Sequence, residues 1–489
     1  MHTDRVPPQT SSVPSRRRPV VYLAAVLGTA VVGSFLVARL SGPPGADPDG
    51  RAGEPDGKDK KVWSGKSYAQ ETRVEAAPVP SAAAAGWDSE RVWSGEDDWE
   101  PAVAVDPAVP AHVYQLTTRY SGPTPCRNCS PNIIFRRSDD GGLTWEPDKF
   151  LYVTKKAQND PQIEVSGSGV LYACFLSAYN PGVSFTKSTN RGDTWSVPVT
   201  FAGKGKKPNW SDKPWMVISA DGNHVYIGFN ASDSYVVASH NGGASFPAAV
   251  KTNSDTRYWF HTGGAVSPSS PMTAWLAATD YSQDYTGDAH IKVLKTTDGG
   301  ATWTTTLVDT SRELPGCVWA DGCFFGFFGP SASLAVDSAG TLMIAYNAGD
   351  VAGGPQKMWV KTSTDGGATW SVRTEISNGS SSVNNAFPAL INGPTGGDFR
   401  VVWQDDRQQS QVGWNTWYRE TANAGGSWSA AVRLSDLATG APYKSANGYK
   451  FPYGDYFEIA VDIAGVNHIL WGEGDSYTGP GGTWYTRGQ

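Results

Sequence analysis

An eight-residue segment that recurs six times constrains the fold of this 489-residue chain more than any other feature of its sequence. Each copy has Ser or Thr at positions one and seven, Asp or Asn at position three, Gly at position five and an aromatic residue at position eight. We call this segment the octet. Its closing aromatic residues follow one another at intervals of 50, 51, 57, 67 and 58 residues, which is typical of an array of similar structural units. The six copies are SDDGGLTW (138–145), STNRGDTW (188–195), SHNGGASF (239–246), TTDGGATW (296–303), STDGGATW (363–370) and TANAGGSW (421–428).

The octet has the composition of a tight turn. Asp or Asn hydrogen-bonds its own backbone two residues on, and Gly adopts the left-handed conformation that such turns need. The closing aromatic residue begins a new strand, and its ring can pack between neighbouring sheets. A calcium loop or a catalytic aspartate is the alternative. Because Asn replaces Asp in three of the six copies, a hard cation would lose its carboxylate ligand there, and the structural interpretation is favoured.

Each octet is embedded in a unit of four predicted strands. Two apolar strands precede it, a third strand enters it, and the fourth starts at its aromatic residue. The chain is rich in Gly (55), Trp (20) and Tyr (20), and only 18% of its residues are charged, which favours strands over helices. Four-stranded units of this length, separated by turns, are typical of β-propeller blades.

The predicted number of blades is seven. After the sixth octet, the segments DYFEIAVDIAG, NHILWGE and TWYTRGQ supply three more strands but no octet. The segment SERVWSG (89–95) resembles the strands that follow the octets, so it can complete the last blade and close the ring. Six blades is the alternative, since one unit could be an edge elaboration. The prediction is therefore an all-β propeller over residues 87–489.

The N-terminal part of the chain is predicted to lie outside the propeller. Residues 1–19 form a basic cytoplasmic segment, and residues 20–38 are apolar or small with no charge. That length can span a bilayer as a transmembrane helix, and the arginines before it place the propeller outside the cell. A cleaved signal sequence is the alternative, which would make the protein secreted rather than anchored at the cell surface. Residues 39–86 are rich in Pro, Gly, Ala and charge, as in a disordered linker.

The charge balance excludes two classes of partner. The chain has a net charge of −7, and the part after residue 40 is more acidic still. Nucleic acids and anionic lipid surfaces need a basic footprint, so neither is an expected partner of the propeller. We expect the protein to be a monomer whose partner is a glycan or another cell-surface polymer.

The five cysteines are predicted to form short disulfides in an oxidising compartment. Cys317 can pair with Cys323, and Cys126 can pair with Cys129, each closing one loop. A CxxC pair could also serve redox chemistry or half of a zinc site, but no second CxxC or His pair completes zinc ligation. Cys174 is predicted to be a buried free thiol.

The octet resembles the Asp box, or BNR repeat, of the sialidase-like β-propeller superfamily, over residues 138–428. The resemblance implies a propeller fold and a glycoside hydrolase of the exo-α-sialidase type. The alternative is a non-catalytic carbohydrate- or protein-binding scaffold propeller at the cell surface, because Asp boxes also occur in propellers that are not sialidases. Whether the protein is an enzyme is left open at this point.

The octets join third and fourth strands, so they share one face of the propeller with the loops between first and second strands. We call this the octet face and the opposite one the mouth face. Acidic and aromatic residues are predicted to gather on the mouth face. Such a surface suits a sugar, and paired carboxylates can hydrolyse a glycosidic bond. No cofactor is required, although Ca²⁺ could bind there. The candidate catalytic residues are Arg119, Asp212, Asp405, Asp406, Arg407, Asp455, Tyr456 and Glu473.

The resemblance also implies roles for some of these residues. Sialidases of this superfamily hold the substrate carboxylate with three arginines and use a tyrosine nucleophile paired with a glutamate. Tyr456 and Glu473 are the candidates for such a pair. The Phe-Arg-Ile-Pro signature that opens a sialidase domain is absent, and the equivalent region reads GEDDWEPAVAV. The same charged residues could instead form ion pairs that hold the blades together. Candidates for the arginine triad are Arg119, Arg257, Arg312 and Arg407.

Overall fold

A computed structural model describes twelve ranges of the chain, and every regular element within them is a β-strand. The ranges are 82–94, 98–120, 122–177, 182–201, 212–231, 233–282, 287–313, 329–409, 413–438, 440–442, 456–474 and 481–489. The predicted transmembrane helix, residues 20–38, and its boundaries with the flanking segments lie outside these ranges. Within the described ranges, no helix is long and apolar enough to cross a membrane.

The described strands form seven antiparallel sheets. In chain order they are β1 (Arg91–Ser94), β2 (Asp98–Val105), β3 (Val113–Arg119), β4 (Asn132–Ser138), β5 (Lys149–Phe150), β6 (Gln158–Val165), β7 (Leu171–Ser177), β8 (Val183–Ser188), β9 (Val199–Phe201), β10 (Asp212–Ile218), β11 (Val225–Asn230), β12 (Ser234–Ser239), β13 (Val250–Lys251), β14 (Tyr258–Val266), β15 (Ala274–Tyr281), β16 (Ala289–Thr296), β17 (Thr304–Ser311), β18 (Ala332–Val336), β19 (Leu342–Gly349), β20 (Gln356–Ser363), β21 (Thr374–Glu375), β22 (Asn385–Asn392), β23 (Phe399–Gln409), β24 (Gly413–Thr421), β25 (Val432–Arg433), β26 (Ala441–Pro442), β27 (Glu458–Val461), β28 (Asn467–Gly474) and β29 (Gly481–Gly488).

Each sheet is one blade of a seven-bladed propeller. Six blades use four consecutive strands, starting with β2–β5 as blade 1, and the short β26 adds to the edge of blade 6. Blade 7 has the order β27, β28, β29, β1, so the N-terminal strand completes it. In that pairing, Arg91 lies opposite Tyr485 and Ser94 lies opposite Thr483. The predicted count of seven blades, and ring closure by the segment around residues 89–95, are therefore confirmed.

The octets are turns whose aspartate is bound internally. Asp298 accepts hydrogen bonds from the backbone N of Thr302 (2.9 Å) and from its Oγ1 (2.6 Å). Thr296 donates from Oγ1 to the same carboxylate at 2.8 Å. These bonds, that of the Thr302 side chain first, hold the pKa of Asp298 at about 2. The carboxylate is thus committed to the turn, as the structural interpretation of the octet predicts.

The aromatic residue that ends each octet packs against the preceding blade. Trp195 of blade 2 lies 5.5 Å from Phe135 of blade 1, measured between ring centroids. Trp303 of blade 4 lies 6.2 Å from Tyr226 of blade 3, again edge to face. Edge-to-face aromatic pairs are stabilising beyond the area that they bury. The ring is therefore held together by clusters of side chains between neighbouring blades.

Three of the five cysteines lie among the described residues. Cys126 and Cys129 form a disulfide with their Cα atoms 5.2 Å apart, and Cys174 is a buried free thiol. Cys317 and Cys323 lie outside the described residues, so their pairing stays a prediction.

The first strands of the blades surround a cavity of about 730 Å³ on the propeller axis, which we call the axial cavity. It extends to exposed residues of the octet face, among them Asp221 and Pro268. Above it, towards the mouth face, lies a layer of buried side chains.

Candidate functional site

The layer on the axis, near the mouth face, is built by equivalent positions of the innermost strands. Glu100, Asp160, Lys213 and Phe387 all have a positive φ, between 47° and 57°, and each is followed by proline. The strand register shifts at these positions, as in a β-bulge. Non-glycine residues rarely adopt this conformation, and such strain is concentrated at functional sites. The repeated bulge therefore marks this layer as a candidate site.

Four polar or aromatic residues of the layer contact one another, and we call them the axial layer: Glu100, Asp160, Lys213 and Tyr456. Glu100 accepts a hydrogen bond at Oε2 from the backbone N of Asp160 (2.9 Å). The Nζ of Lys213 lies 3.7 Å from Oδ1 of Asp160 and 5.6 Å from the ring centroid of Tyr456. The Tyr456 hydroxyl donates to the carbonyl of Pro161 (3.1 Å). The Lys213 ammonium group thus pairs with the carboxylate of Asp160, and all four side chains are buried.

The sequence predicted acidic and aromatic residues near the mouth face, but it did not reveal Glu100. Among the four, Tyr456 was a predicted catalytic residue, and its described hydroxyl contact is a backbone carbonyl. The recurring X-Pro dipeptide at the start of the innermost strands is the signal that could have revealed the layer.

The predicted catalytic residues on β23 include a partly buried ion pair. Arg407 donates from Nε to both carboxylate oxygens of Asp405, at 2.9 and 3.0 Å. Its guanidinium also stacks over the ring of Trp417, 3.5 Å from the centroid. Burial raises the pKa of Asp405, although Arg407 opposes the shift. Neighbouring Asp406 accepts two hydrogen bonds of 2.7 Å from Asn384, so these residues brace their own blade.

Arg119 is likewise bound to carboxylates, at the junction of blades 7 and 1. It donates to Asp98 through Nε and Nη2 (2.9 Å each) and to Asp148 through Nη1 (2.7 Å). A further bond of 3.0 Å reaches the hydroxyl of Ser94, on the strand that closes the ring. Burial raises the pKa of Asp98 to about 6 even with the arginine in place. Arg119 therefore ties the closing strand to blade 1.

Two other predicted residues, Asp212 and Glu473, each accept a hydrogen bond from a residue close to them in the sequence. Asp212 accepts a hydrogen bond from the backbone N of Lys213 (2.9 Å). Glu473 accepts one from Trp471 Nε1 (2.9 Å), and its charge, added to burial, helps to raise the pKa of Glu90 to about 11. Asp455 lies outside the described residues.

A half-exposed polar cluster lies on the mouth face of blade 4, and we call it the blade 4 cluster. Arg257, His290 and Lys292 all contact the carboxylate of buried Asp280, and the His290 Nδ1 lies 2.8 Å from it. Burial opposes ionisation of Asp280, yet the bonds from His290 and Lys292 hold its pKa below the ordinary value. Lys292 also contacts Asp255 at 3.3 Å. This cluster presents both signs of charge at a partly open surface.

The predicted arginine triad is not assembled in the described part of the chain. Arg119 and Arg407 are bound within their own blades or at a blade junction, and Arg257 belongs to the blade 4 cluster. Arg312 is 58% exposed and pairs with Asp288 at 2.6 Å. Within the same described ranges, no group of three or more His, Cys, Asp or Glu side chains is positioned to hold a metal ion.

The comparisons with known proteins concern the fold. The sequence matches no protein-family model and none of the curated proteins compared with it. Among solved structures, it resembles a Hadza microbial sialidase at 13% identity and a TM-score of 0.44, over 80% of this chain and 65% of the sialidase. It also resembles an α-L-arabinofuranosidase from Fusarium graminearum (12% identity, TM-score 0.42, over 84% of this chain and 98% of that one). A third neighbour is YCF48 bound to a D1 peptide (13%, 0.45, 84% and 99%).

At these identities the likenesses bear on the fold alone. The predicted resemblance to sialidase-like propellers is therefore shown for the architecture, and for nothing finer. The named neighbours include two glycoside hydrolases and a protein bound to a peptide, so function has to be argued from this chain's own residues.

Proposed function

We propose that the protein is an exported, non-hydrolytic β-propeller that binds glycans through its mouth face. The observation that carries this proposal is that two predicted catalytic arginines are bound to carboxylates of the protein itself. To hold a substrate carboxylate, an arginine must direct its planar donor fork at the ligand. The guanidinium group of Arg407 donates to Asp405, and that of Arg119 donates to Asp98 and Asp148. These arginines stabilise blades and are not available to a sialoside.

The blade 4 cluster supports binding of a neutral or mixed-charge glycan. Its side chains are partly exposed, at 24% for Arg257, 30% for His290 and 35% for Asp255. The cluster combines hydrogen-bond donors with carboxylate acceptors, which together match sugar hydroxyls. Lys292 bridges the cluster to the ring of Trp259, 4.0 Å from its centroid.

The proposed location follows from the N-terminal sequence. Residues 20–38 would anchor the chain, and residues 39–86 would tether the propeller outside the cell. A glycan or another cell-surface polymer is then the accessible class of ligand. A propeller that binds glycans and is anchored in this way would hold its ligand at the membrane.

Two assays on the purified protein test the proposal. Hydrolysis of fluorogenic glycosides, including a sialoside, is expected to be undetectable for the wild type. A glycan array is expected to show binding that falls at least about ten-fold in Lys292→Met, as for loss of a charge-assisted hydrogen bond. The matched control is Lys155→Met, which removes an exposed lysine from a loop outside the cluster and should bind like the wild type.

Two results would overturn the proposal. Turnover that disappears in an Asp405→Ala/Asp406→Ala/Arg407→Ala variant would make the protein a hydrolase. Absence of glycan binding by a correctly folded wild type would remove the ligand class while leaving the argument against hydrolysis in place.

A further inference from the structure

The axial cavity lies on the octet-face side of the axial layer, and the charge of its lining differs from that of the axial layer. Its inner end is lined by Trp215 and Glu458, each two residues after a member of that layer. Its outer end reaches the exposed octet face at Asp221 and Ser338. Glu458 precedes the turn at the end of its strand by four residues, which at about 3.3 Å a residue makes the cavity roughly 13 Å deep.

All the ionisable side chains that line this cavity among the described residues are acidic: Glu164, Asp221, Asp337 and Glu458. Lysine, arginine and histidine do not occur in the described lining. The walls between these carboxyl groups are apolar and include Val217 and Leu334. A cavity of this kind attracts a cation with an apolar body and repels an anion.

Neither Glu164 nor Glu458 forms an ion pair with another residue of the described ranges. Among the described residues, Glu164 has neither a hydrogen bond nor an ion pair, and its side chain faces the cavity. Glu458 accepts a hydrogen bond at Oε2 from the backbone N of Val103 (3.0 Å) and another from the Gln162 side chain. Burial raises the pKa of Glu164 to about 7 and that of Glu458 well above its ordinary value. Both glutamates are partly exposed to the cavity, and a cation bound there would favour their ionised form.

The titratable groups around this pair do not supply that cation. The buried thiol of Cys174 lies close enough to feel the charges of Glu164, Glu458 and Asp160, and burial raises its own pKa far above the ordinary value. Lys213, the nearest ammonium group that the axial layer offers, contacts Asp160 instead.

We propose that the axial cavity binds a linear aliphatic polyamine, with ammonium groups at Glu164 and Glu458 inside and near Asp221 at the rim. Acidic groups at both depths, separated by apolar wall, match a ligand whose charges are separated by methylene segments. A chain of roughly ten bonded atoms, which advances about 1.25 Å per bond, spans about 11 Å and so reaches from the inner glutamates to near the rim. A hydrated divalent ion fits less well, because the described residues hold no cluster of three metal-binding side chains.

The site is separate from the blade 4 cluster, and it opens on the opposite face. The inference therefore does not depend on glycan binding, and either proposal can fail while the other stands.

Isothermal titration calorimetry of the full-length protein with spermidine tests the inference. The wild type is expected to bind one equivalent, and Glu164→Gln and Glu458→Gln are each expected to weaken binding at least ten-fold, as for loss of a charge-assisted contact. The matched control is Glu146→Gln, which removes a carboxylate from a surface ion pair with Arg137 and should leave the Kd within about two-fold. A neutral chain of equal length, 1,8-octanediol, should not bind.

Three results would overturn the inference. They are absence of spermidine binding to the wild type, equal weakening in Glu146→Gln, and displacement of spermidine by Ca²⁺ or Mg²⁺ at equal concentration. If Glu458→Gln fails to fold, Glu164→Gln still decides, since it removes no hydrogen bond of the described structure. Thermal unfolding of each variant without ligand verifies that the compared proteins are folded.

Discussion

Removal of the Arg119 side chain should destabilise the closure of the ring. In Arg119→Met, the carboxylate of Asp98 keeps its burial and loses two hydrogen bonds of 2.9 Å together with its counter-charge. Breaking a buried ion pair from one side costs about 3–5 kcal/mol. With an unfolding entropy of about 2.1 cal/mol/K per residue and about 400 residues in the propeller, the Tm should fall by about 4–6 °C.

The loss should depend on pH in a defined direction. The pKa of Asp98 is about 6 in the folded wild type and 3.8 ordinarily, so the folded state takes up its proton first as the pH falls. Without Arg119, which lowers this pKa, it should rise further. The difference in Tm between variant and wild type should therefore be largest at pH 8 and should shrink towards pH 4, where the carboxyl is protonated in both.

Thermal unfolding followed by circular dichroism at pH 8 and pH 5 measures both effects. The double variant Asp98→Asn/Arg119→Met should recover most of the loss, since it leaves no buried charge unpaired. Arg312→Met is the control, because its exposed ion pair with Asp288 should be worth about 0–1 kcal/mol. A Tm within 1 °C of the wild type at pH 8, or no recovery in the double variant, would refute the reasoning.

Three further predictions concern stability. Gly192→Ala puts a Cβ 2.3 Å from the ring of Phe135, whereas Gly340→Ala at nearly the same φ meets open space; both should lower the Tm, Gly192→Ala clearly more, and equal losses would exclude the clash. Burial lowers the pKa of His261 to about 3, so stability should be lost as the pH falls from about 6.5, by about 1.4 kcal/mol per unit; an unchanged Tm slope in His261→Gln would contradict this. Glu164→Gln should raise the Tm at pH 8 by about 3–4 °C, because a pKa raised from 4.5 to about 7 makes the ionised carboxylate cost roughly 3 kcal/mol; the gain should vanish near pH 4.5, and a lower Tm at pH 8 would contradict it.

The fold was predictable because its signals are local and repeated. Gly at fixed octet positions, Asp or Asn two residues before, and an aromatic residue at the end define a turn and a strand start without any knowledge of tertiary contacts. Ring closure was predictable for a different reason: blade 7 lacked a fourth strand, and residues 89–95 had the pattern of one. β1 (Arg91–Ser94) supplies that strand.

The roles of the candidate site residues could be predicted only in part. Asp405 and Arg407 are two apart on one strand, so their side chains share a face, and their pairing could have been read from the sequence. Arg119 and Asp98 are opposite each other only because of the register between β2 and β3, which the sequence does not specify at that precision. The axial layer depends further on ring geometry, because it joins residues from different blades.

The distribution of charge gives the strongest argument about ligand class. Sialic acid carries a carboxylate, so a sialidase needs guanidinium groups on the propeller axis. In this chain, the described axis instead carries the carboxyl groups of Glu100, Asp160, Glu164 and Glu458 against one ammonium, that of Lys213. The four arginines considered for the triad each pair with a carboxylate outside this set. A carboxylate entering on the axis would be repelled, whereas the cationic ligand proposed for the axial cavity would be attracted.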